Sequence, residues 1–288
     1  MAPDLRKIWS QAAPAYAASS HDGAGHLMAL NEEIARALVT RLQATGHSAP
    51  HILDIASGSG EPACTIAHML PSAKVTATDY AAGMVVEARR RAQALNLQNM
   101  SFEVADATNL QQFANETFDG ISCASGLFLF PDQPRALQEF KRVLKPKGIL
   151  IVSVWGLPEE TDCARLVGGV NQQLLSSPAT SSQESNKPWV PTLGNRKHFT
   201  ALLEQGGFDQ LSIREFNCVF NLQIDDLLAN PMCLGTIEQL QAQGKSNARQ
   251  ILSAAITDAA RLQGFLKPDG GLLFPRNVAI IAEMQPKT

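Results

Sequence analysis

A doubly wound α/β fold on a mostly parallel sheet, with helical insertions folded over it as a cap, is what this chain of 288 residues predicts. Three observations carry that expectation. Short β-rich runs alternate with helical stretches from Pro50 to Trp155, the signature of βαβ units. A turn of small residues, Ala56–Gly60, follows the first run and opens a helix. The chain is also long enough to bury one sizeable core with a cap attached.

Each element has its own warrant. Met28–Gln43 places Leu30, Ile34, Leu38 and Leu42 on one stripe, an amphipathic helix ahead of the core. Strands are expected at His51–Ala56, Lys74–Tyr80, Met100–Asp106, Asp119–Ala124 and Ile149–Trp155. Pro62–Leu70, Ala82–Asn96 and Gln133–Leu144 fit helices between them. The last stops at Lys145-Pro146-Lys147-Gly148, where Pro and Gly end a helix and turn the chain. A helix over Lys197–Gln205, a strand over Phe208–Phe216, helical material from Ile224 to Phe265 and a strand near Val278–Met284 follow. Ser176–Lys187, rich in Ser and polar residues, is expected to be a mobile loop.

No repeat and no clean linker divides the chain, so one core is expected, interrupted twice. Its parts are an N-terminal helical segment (1–45), the main core (46–156) and a loop-rich cap insertion (157–195). A core helix and strand (196–223), a helical cap insertion (224–274) and a final strand with tail (275–288) complete it.

Composition narrows the function. The 24 Lys+Arg against 27 Asp+Glu leave no broad basic face, which argues against nucleic-acid partners. The one dense basic spot, Arg89-Arg90-Arg91, is expected to be a solvated helix face. Five cysteines, at 64, 123, 163, 218 and 233, lack metal-ligand spacing and suit reduced, buried thiols. No metal is predicted. No secretory signal is apparent, and Gly148–Trp155 is far too short to span a bilayer. A soluble, cytoplasmic protein is the expectation.

The ligand is read from "ILDIASGSGEPA", Ile52–Ala63. Gly58-Ser59-Gly60-Glu61-Pro62-Ala63 formally matches G-x-G-x-x-G/A between a strand and a helix, the setting of a dinucleotide fingerprint. A pyrophosphate would use the helix N-terminus. Asp54 and Glu61, however, put two carboxylates beside that turn, and like charges at close range oppose an anionic ligand. A ligand carrying an ammonium and a sulfonium suits them better. The turn therefore favours S-adenosylmethionine over NAD. Ser57 and Ser59 do not form the G-x-S-x-G pattern of a nucleophile turn.

Asp54-Ile-Ala-Ser-Gly-Ser-Gly60 resembles motif I of class I S-adenosylmethionine-dependent methyltransferases, D/E-x-G-x-G-x-G, with Ala56 in place of the first glycine. An alanine there calls for a negative φ or a slightly wider turn. Asp79, about 19 residues after Gly60, "EVADATNL" with Asp106, "FDGISCASGLFLFPD" and "LKPKGILIVS" resemble the later motifs in order. The flavour is that of the branch containing ubiquinone/menaquinone C-methyltransferases and many small-molecule methyltransferases. The resemblance implies a Rossmann-like seven-stranded sheet whose last strand is antiparallel, and an N-terminal segment that closes over the cofactor.

It also implies site residues. Asp54, Ala56, Ser57, Gly58 and Gly60 would form the cofactor turn, and Asp79 with Tyr80 would hold the ribose. Met84 would cover an adenine face, Asp106 and Ala107 would meet the adenine amino end, and Ser125 with Gly126 would line the methionine end. Tyr16 resembles a tyrosine that related enzymes place near the sulfonium. His21 and His26 are candidates to touch substrate or act as a base, while His198 suits capping and His47, His51 and His68 structural or exposed roles. The acceptor is expected to be a small, partly apolar molecule accepting methyl on O, N, S or C. Trp155, Trp189, Phe199, Met232, Phe265 and Phe274 are candidates to line its pocket. An NAD-dependent oxidoreductase and a non-catalytic cofactor binder stand as alternatives.

Overall fold

The computed structural model describes residues 5–21, 27–46, 48–175 and 193–287. Among the described residues, seven strands form one sheet in the order β3-β2-β1-β4-β5-β7-β6. They are β1 His51–Ile55, β2 Lys74–Asp79, β3 Met100–Val104, β4 Phe118–Ala124, β5 Leu144–Trp155, β6 Phe208–Leu222 and β7 Leu272–Pro286. The first five pair in parallel, and β7 runs antiparallel to both β5 and β6. This is the Rossmann-like, mostly parallel arrangement expected.

Helices α1 (Leu5–His21) and α2 (Met28–Ala44) precede the sheet, and α3 (Ala63–Met69), α4 (Ala82–Ala94) and α5 (Gln133–Val143) connect its parallel strands. The stripe expected on α2 is buried, with Leu30, Ile34, Leu38 and Leu42 packed into the core. Short apolar runs make central strands here because both faces of the sheet are covered. One face buries Ile52, Val75 and Ile151 against α2 and α3; the other buries Leu53, Ile121, Leu150 and Phe140 of α5.

The cap differs from the expectation. Part of the stretch expected to be loop-rich is a helix, α6 (Asp162–Leu175), which buries Cys163, Leu166, Val167 and Val170. Burial of that stripe overrides the poor helix propensity of Gly168-Gly169. The expected loop Ser176–Lys187 lies outside the described residues, as does Trp189. After α7 (Arg196–Gln205), β6 continues to Leu222, well past Phe216, because its end pairs with the start of β7, Phe220 opposite Phe274 and Leu222 opposite Leu272. Three helices stand between those ends: α8 (Ile224–Leu228), α9 (Pro231–Ala242) and α10 (Ala248–Leu262). Asn230 caps α9 by accepting from Met232 N at 3.1 Å, with Pro231 at the first position where its missing N–H costs nothing.

Candidate functional site

Strand order reverses at β1, whose neighbours are β2 on one side and β4 on the other. In open α/β sheets a crevice opens beyond the strand ends at that point. The chain leaves β1 through Ala56 (φ 55), Gly58 (φ 54) and Gly60 (φ 113). Ala56 thus takes the left-handed region and not the negative φ expected for it. Gly60 has to be glycine: a Cβ there would stand 3.1 Å from Ala88 Cα and 3.2 Å from Cys64 Sγ. Ser57 N donates to Thr78 O at 2.9 Å and Cys64 N to Gly60 O at 2.8 Å, which ties the turn to β2 and starts α3.

Asp79 ends β2 beside this turn. Its Oδ2 accepts from Gly58 N at 2.9 Å and its Oδ1 from Ala81 N at 2.8 Å. Burial raises its carboxyl above the usual range, and those amides oppose the rise. Asp106 lies two residues beyond the end of β3, exposed, with Oδ1 accepting from Thr108 N at 2.8 Å. Ala105 N donates to Asp79 O at 3.0 Å, so the two acidic residues flank one edge of the crevice, with Ala107 buried beside them.

Across the crevice, β4 is followed by Ser125, also left-handed (φ 53), whose N donates to Ser153 O at 3.1 Å. The hydroxyls of Ser57 and Ser125 are buried and have no hydrogen-bond partner. Buried hydroxyls are ordinarily satisfied, and here both belong to residues that bound the crevice. A polar ligand fits them.

Asp54 lies beneath the turn, fully buried. Its Oδ1 accepts from Ser122 Oγ at 2.6 Å and its Oδ2 from Ala63 N at 3.2 Å. Burial pushes its carboxyl up to about 8, and Glu61 and Asp79 add to the rise. Glu61 does not offer its charge to the crevice as the sequence suggested. Its Oε1 receives Arg91 Nη2 at 2.6 Å, and its Oε2 accepts from Thr65 Oγ1 at 2.7 Å. Arg91 accordingly leaves the solvated face expected of it, while Arg90 stays exposed beside Glu87.

Helix α1 roofs the turn. Tyr16 Cε1 lies 3.8 Å from the position a Gly58 Cβ would take, and Trp9 packs edge-on to Tyr16 at 5.6 Å. Met84 is covered by Ala13, Trp9 and Tyr16, so its side chain is held under α1. The Arg6 guanidinium lies over the half-exposed Tyr80 ring at 4.6 Å. His21 ends α1, and nothing is described of its side chain; His26 and His47 lie outside the described residues.

Other candidates are placed elsewhere. His51 meets Thr76 at the opposite end of β1, and His68 is exposed. His198 does not cap α7: Asn195 Oδ1 does, accepting from His198 N at 3.1 Å. Phe199 is buried in the core on the α5 face, away from the cap cluster that holds Trp155, Phe220, Met232, Phe265 and Phe274. Among the described residues no group of three or more His, Cys, Asp or Glu could hold a metal ion, and no helix is long and apolar enough to cross a membrane.

Sequence reasoning missed Ser122 and the Glu61–Arg91 pair. Only the pairing register, which sets Asp54 opposite Ser122, reveals the first.

A family model described as a methyltransferase domain matches residues 52–148. The demethylmenaquinone methyltransferase of Chlorobaculum tepidum is 32% identical over 214 residues, 71% of this chain and 84% of its own length. The ubiquinone/menaquinone biosynthesis C-methyltransferase UbiE of Rickettsia felis is 30% identical over 178 residues, 58% of this chain and 71% of its own. Among solved structures, the YcgJ protein of Bacillus subtilis shares the fold, with a TM-score of 0.54 and 19% identity, over 87% of this chain and 97% of that one. The glycine turn at the switch point and the extent of these matches lead to one assignment: the chain belongs to the class I S-adenosylmethionine-dependent methyltransferases.

Proposed function

We propose that this chain transfers the methyl group of S-adenosylmethionine to an O, N, S or C atom of a small, partly apolar metabolite. The observation that carries the reading is the pair of unpartnered buried hydroxyls, Ser57 within the left-handed glycine turn and Ser125 across the crevice from it. Bound there, the cofactor supplies an electrophilic sulfonium methyl. The chain's own contribution is alignment, and in-line positioning accounts for a large part of the barrier reduction in such transfers. Ala56, Ser57, Gly58 and Gly60 shape the turn, and Asp79 and Tyr80 receive the ribose. Asp106 and Ala107 meet the adenine, Met84 backs it from beneath α1, and Ser125 orients the methionine end. Asp54 supplies negative charge from below.

Tyr16, packed over Gly58, is the described residue best placed to face the sulfonium. His21 and His26 keep their proposed role at the acceptor. The names of the relatives favour a carbon acceptor. The N-terminal helical segment would close over the cofactor, and the stretches 157–195 and 224–274 would form the cap around the acceptor.

Calorimetric titration tests this. S-adenosylmethionine is expected to bind the wild type, and NAD is not. Asp79→Ala and the gentler Asp79→Asn are each expected to weaken binding by about 10- to 100-fold, from one or two lost hydrogen bonds to a charged acceptor. Unchanged affinity in both variants would remove Asp79 from the site, and binding of NAD alone would overturn the reading.

A further inference from the structure

Asp54 is a buried acid for which the fold supplies no counter-ion. Among the described residues no lysine or arginine pairs with it, because Arg91 is turned to Glu61. The titratable groups facing it are Glu61 on the turn, Asp79 at the end of β2, Cys64 on α3 and Cys123 on β4. None of these is positive. What Asp54 has instead is one hydroxyl and one amide, Ser122 Oγ at 2.6 Å and Ala63 N at 3.2 Å. Ser122 is itself fully buried and sits opposite Asp54 in the β1–β4 register, so strand pairing fixes the contact. An O–H···O bond of that length is at the short end of the ordinary range, and it would strengthen once the carboxyl is ionised.

Resting on the donor reading above, we propose that Ser122 is a positioning residue that holds Asp54 as a one-proton counter-charge site for the methyl donor. In the empty protein the carboxyl keeps its proton. When a cationic donor occupies the crevice the carboxyl O–H bond breaks, the electron pair stays on the carboxylate and the proton passes to solvent. After methyl transfer the uncharged thioether product no longer needs that charge, and the carboxyl takes a proton back. Donor and product are thereby told apart by one protonation step, through a residue that touches neither. The electrostatics support this: burial pushes the Asp54 carboxyl up to about 8, with Ser122 and Ala63 opposing the rise. Charges separated by a thin protein layer also interact several-fold more strongly than in water.

Calorimetry on the full chain, in two buffers of equal pH but different ionisation enthalpy, reads the proton count directly. Near pH 7 a group with its midpoint at about 8 is about nine-tenths protonated. The wild type should therefore release close to one proton more on binding S-adenosylmethionine than Asp54→Asn does, and S-adenosylhomocysteine should show no such difference. Over the range from about pH 6 to about pH 9, affinity for the donor should rise up to about tenfold per unit and then level off. In Ser122→Ala the levelling should move about one unit higher, since the donor to the ionised form is gone. Ser122→Thr should restore it. A merely structural serine would lower affinity at every pH alike. Equal proton counts in the wild type and Asp54→Asn, both binding the donor, overturn this proposal alone. If Asp54→Asn does not fold, an unmoved pH profile in Ser122→Ala overturns it. Absence of donor binding to the wild type overturns the donor reading as well.

Discussion

Ala56 holds φ 55 where the family pattern has glycine, a conformation that costs an L-residue about 1–2 kcal/mol. The fold tolerates it because the space its methyl occupies is left open across the crevice. A Cβ on Gly126 would stand 2.7 Å from Ala56 Cβ and 3.1 Å from Cys123 Sγ. One side chain fits between the ends of β1 and β4, and in this chain it belongs to β1. Gly126→Ala should therefore destabilise by about 1–3 kcal/mol, the usual cost of overpacking, while Ala56→Gly should be neutral or gain up to about 1 kcal/mol. Combining the two should recover most of the loss, because the remaining Cβ then meets no opposing methyl. Urea unfolding of the four proteins gives the coupling. Strictly additive effects would show that the two positions do not share that space.

The same logic of close approach governs how α1 joins the core. Gly83, in the first turn of α4, lets α1 lie directly on it: a Cβ would collide with Ser10 O and stand 2.9 Å from Ser10 Cα. Alanine is the better helix former by about 1 kcal/mol, so Gly83→Ala should not harm α4 itself. It should instead lift α1, with Tyr16, off the glycine turn. The expected outcome is faster proteolysis at Arg6 and Lys7, with donor affinity lowered at least about tenfold and the unfolding midpoint of the sheet unchanged. Intact α1 protection with unchanged affinity would show that the contact does not matter to the site. Elements of this kind were unevenly legible in the sequence. The parallel strands and α2 could be seen because burial on two faces or one stripe leaves a periodic record. Helix α6 could not, since Gly168-Gly169 masks a stripe that only the cap's packing rewards. The far ends of β6 and β7 escaped notice because they pair with each other, Phe220 with Phe274, across a long insertion.

For the molecule as a whole, charge is settled by pairings far apart in sequence, and these are what local patterns hide. Arg41 meets Glu283 at 2.7 Å and Arg214 meets Glu33 at 2.6 Å, joining α2 to the antiparallel end of the sheet. Arg91 removes Glu61 from the crevice in the same way. The positions of the glycine turn and Asp79 were legible because each follows directly on a strand end; the neutralisation of Glu61 and the Ser122 contact were not, because they depend on tertiary register. Fully buried Asp54 has no such cationic partner among the described residues, and its effect should be visible in the stability of the entire chain. An unfolded aspartate ionises near pH 4, whereas folded Asp54 does so only at about 8. Between those values the native state binds the extra proton, so stability falls as pH rises, by up to about 1.4 kcal/mol per unit, and levels off above the folded value. Asp79, also raised by burial, contributes with the same sign. Glu139 and Glu160, lowered by Arg142 and Arg196, act oppositely, but their contribution is complete above the unfolded glutamate range and is lost only in acid. The ligand-free protein should accordingly be most stable near pH 5 and weaken toward pH 8, and Asp54→Asn should flatten that decline. Urea midpoints measured across the range decide it: a wild-type curve parallel to that of Asp54→Asn would mean that Asp54 is already ionised in the folded, ligand-free chain.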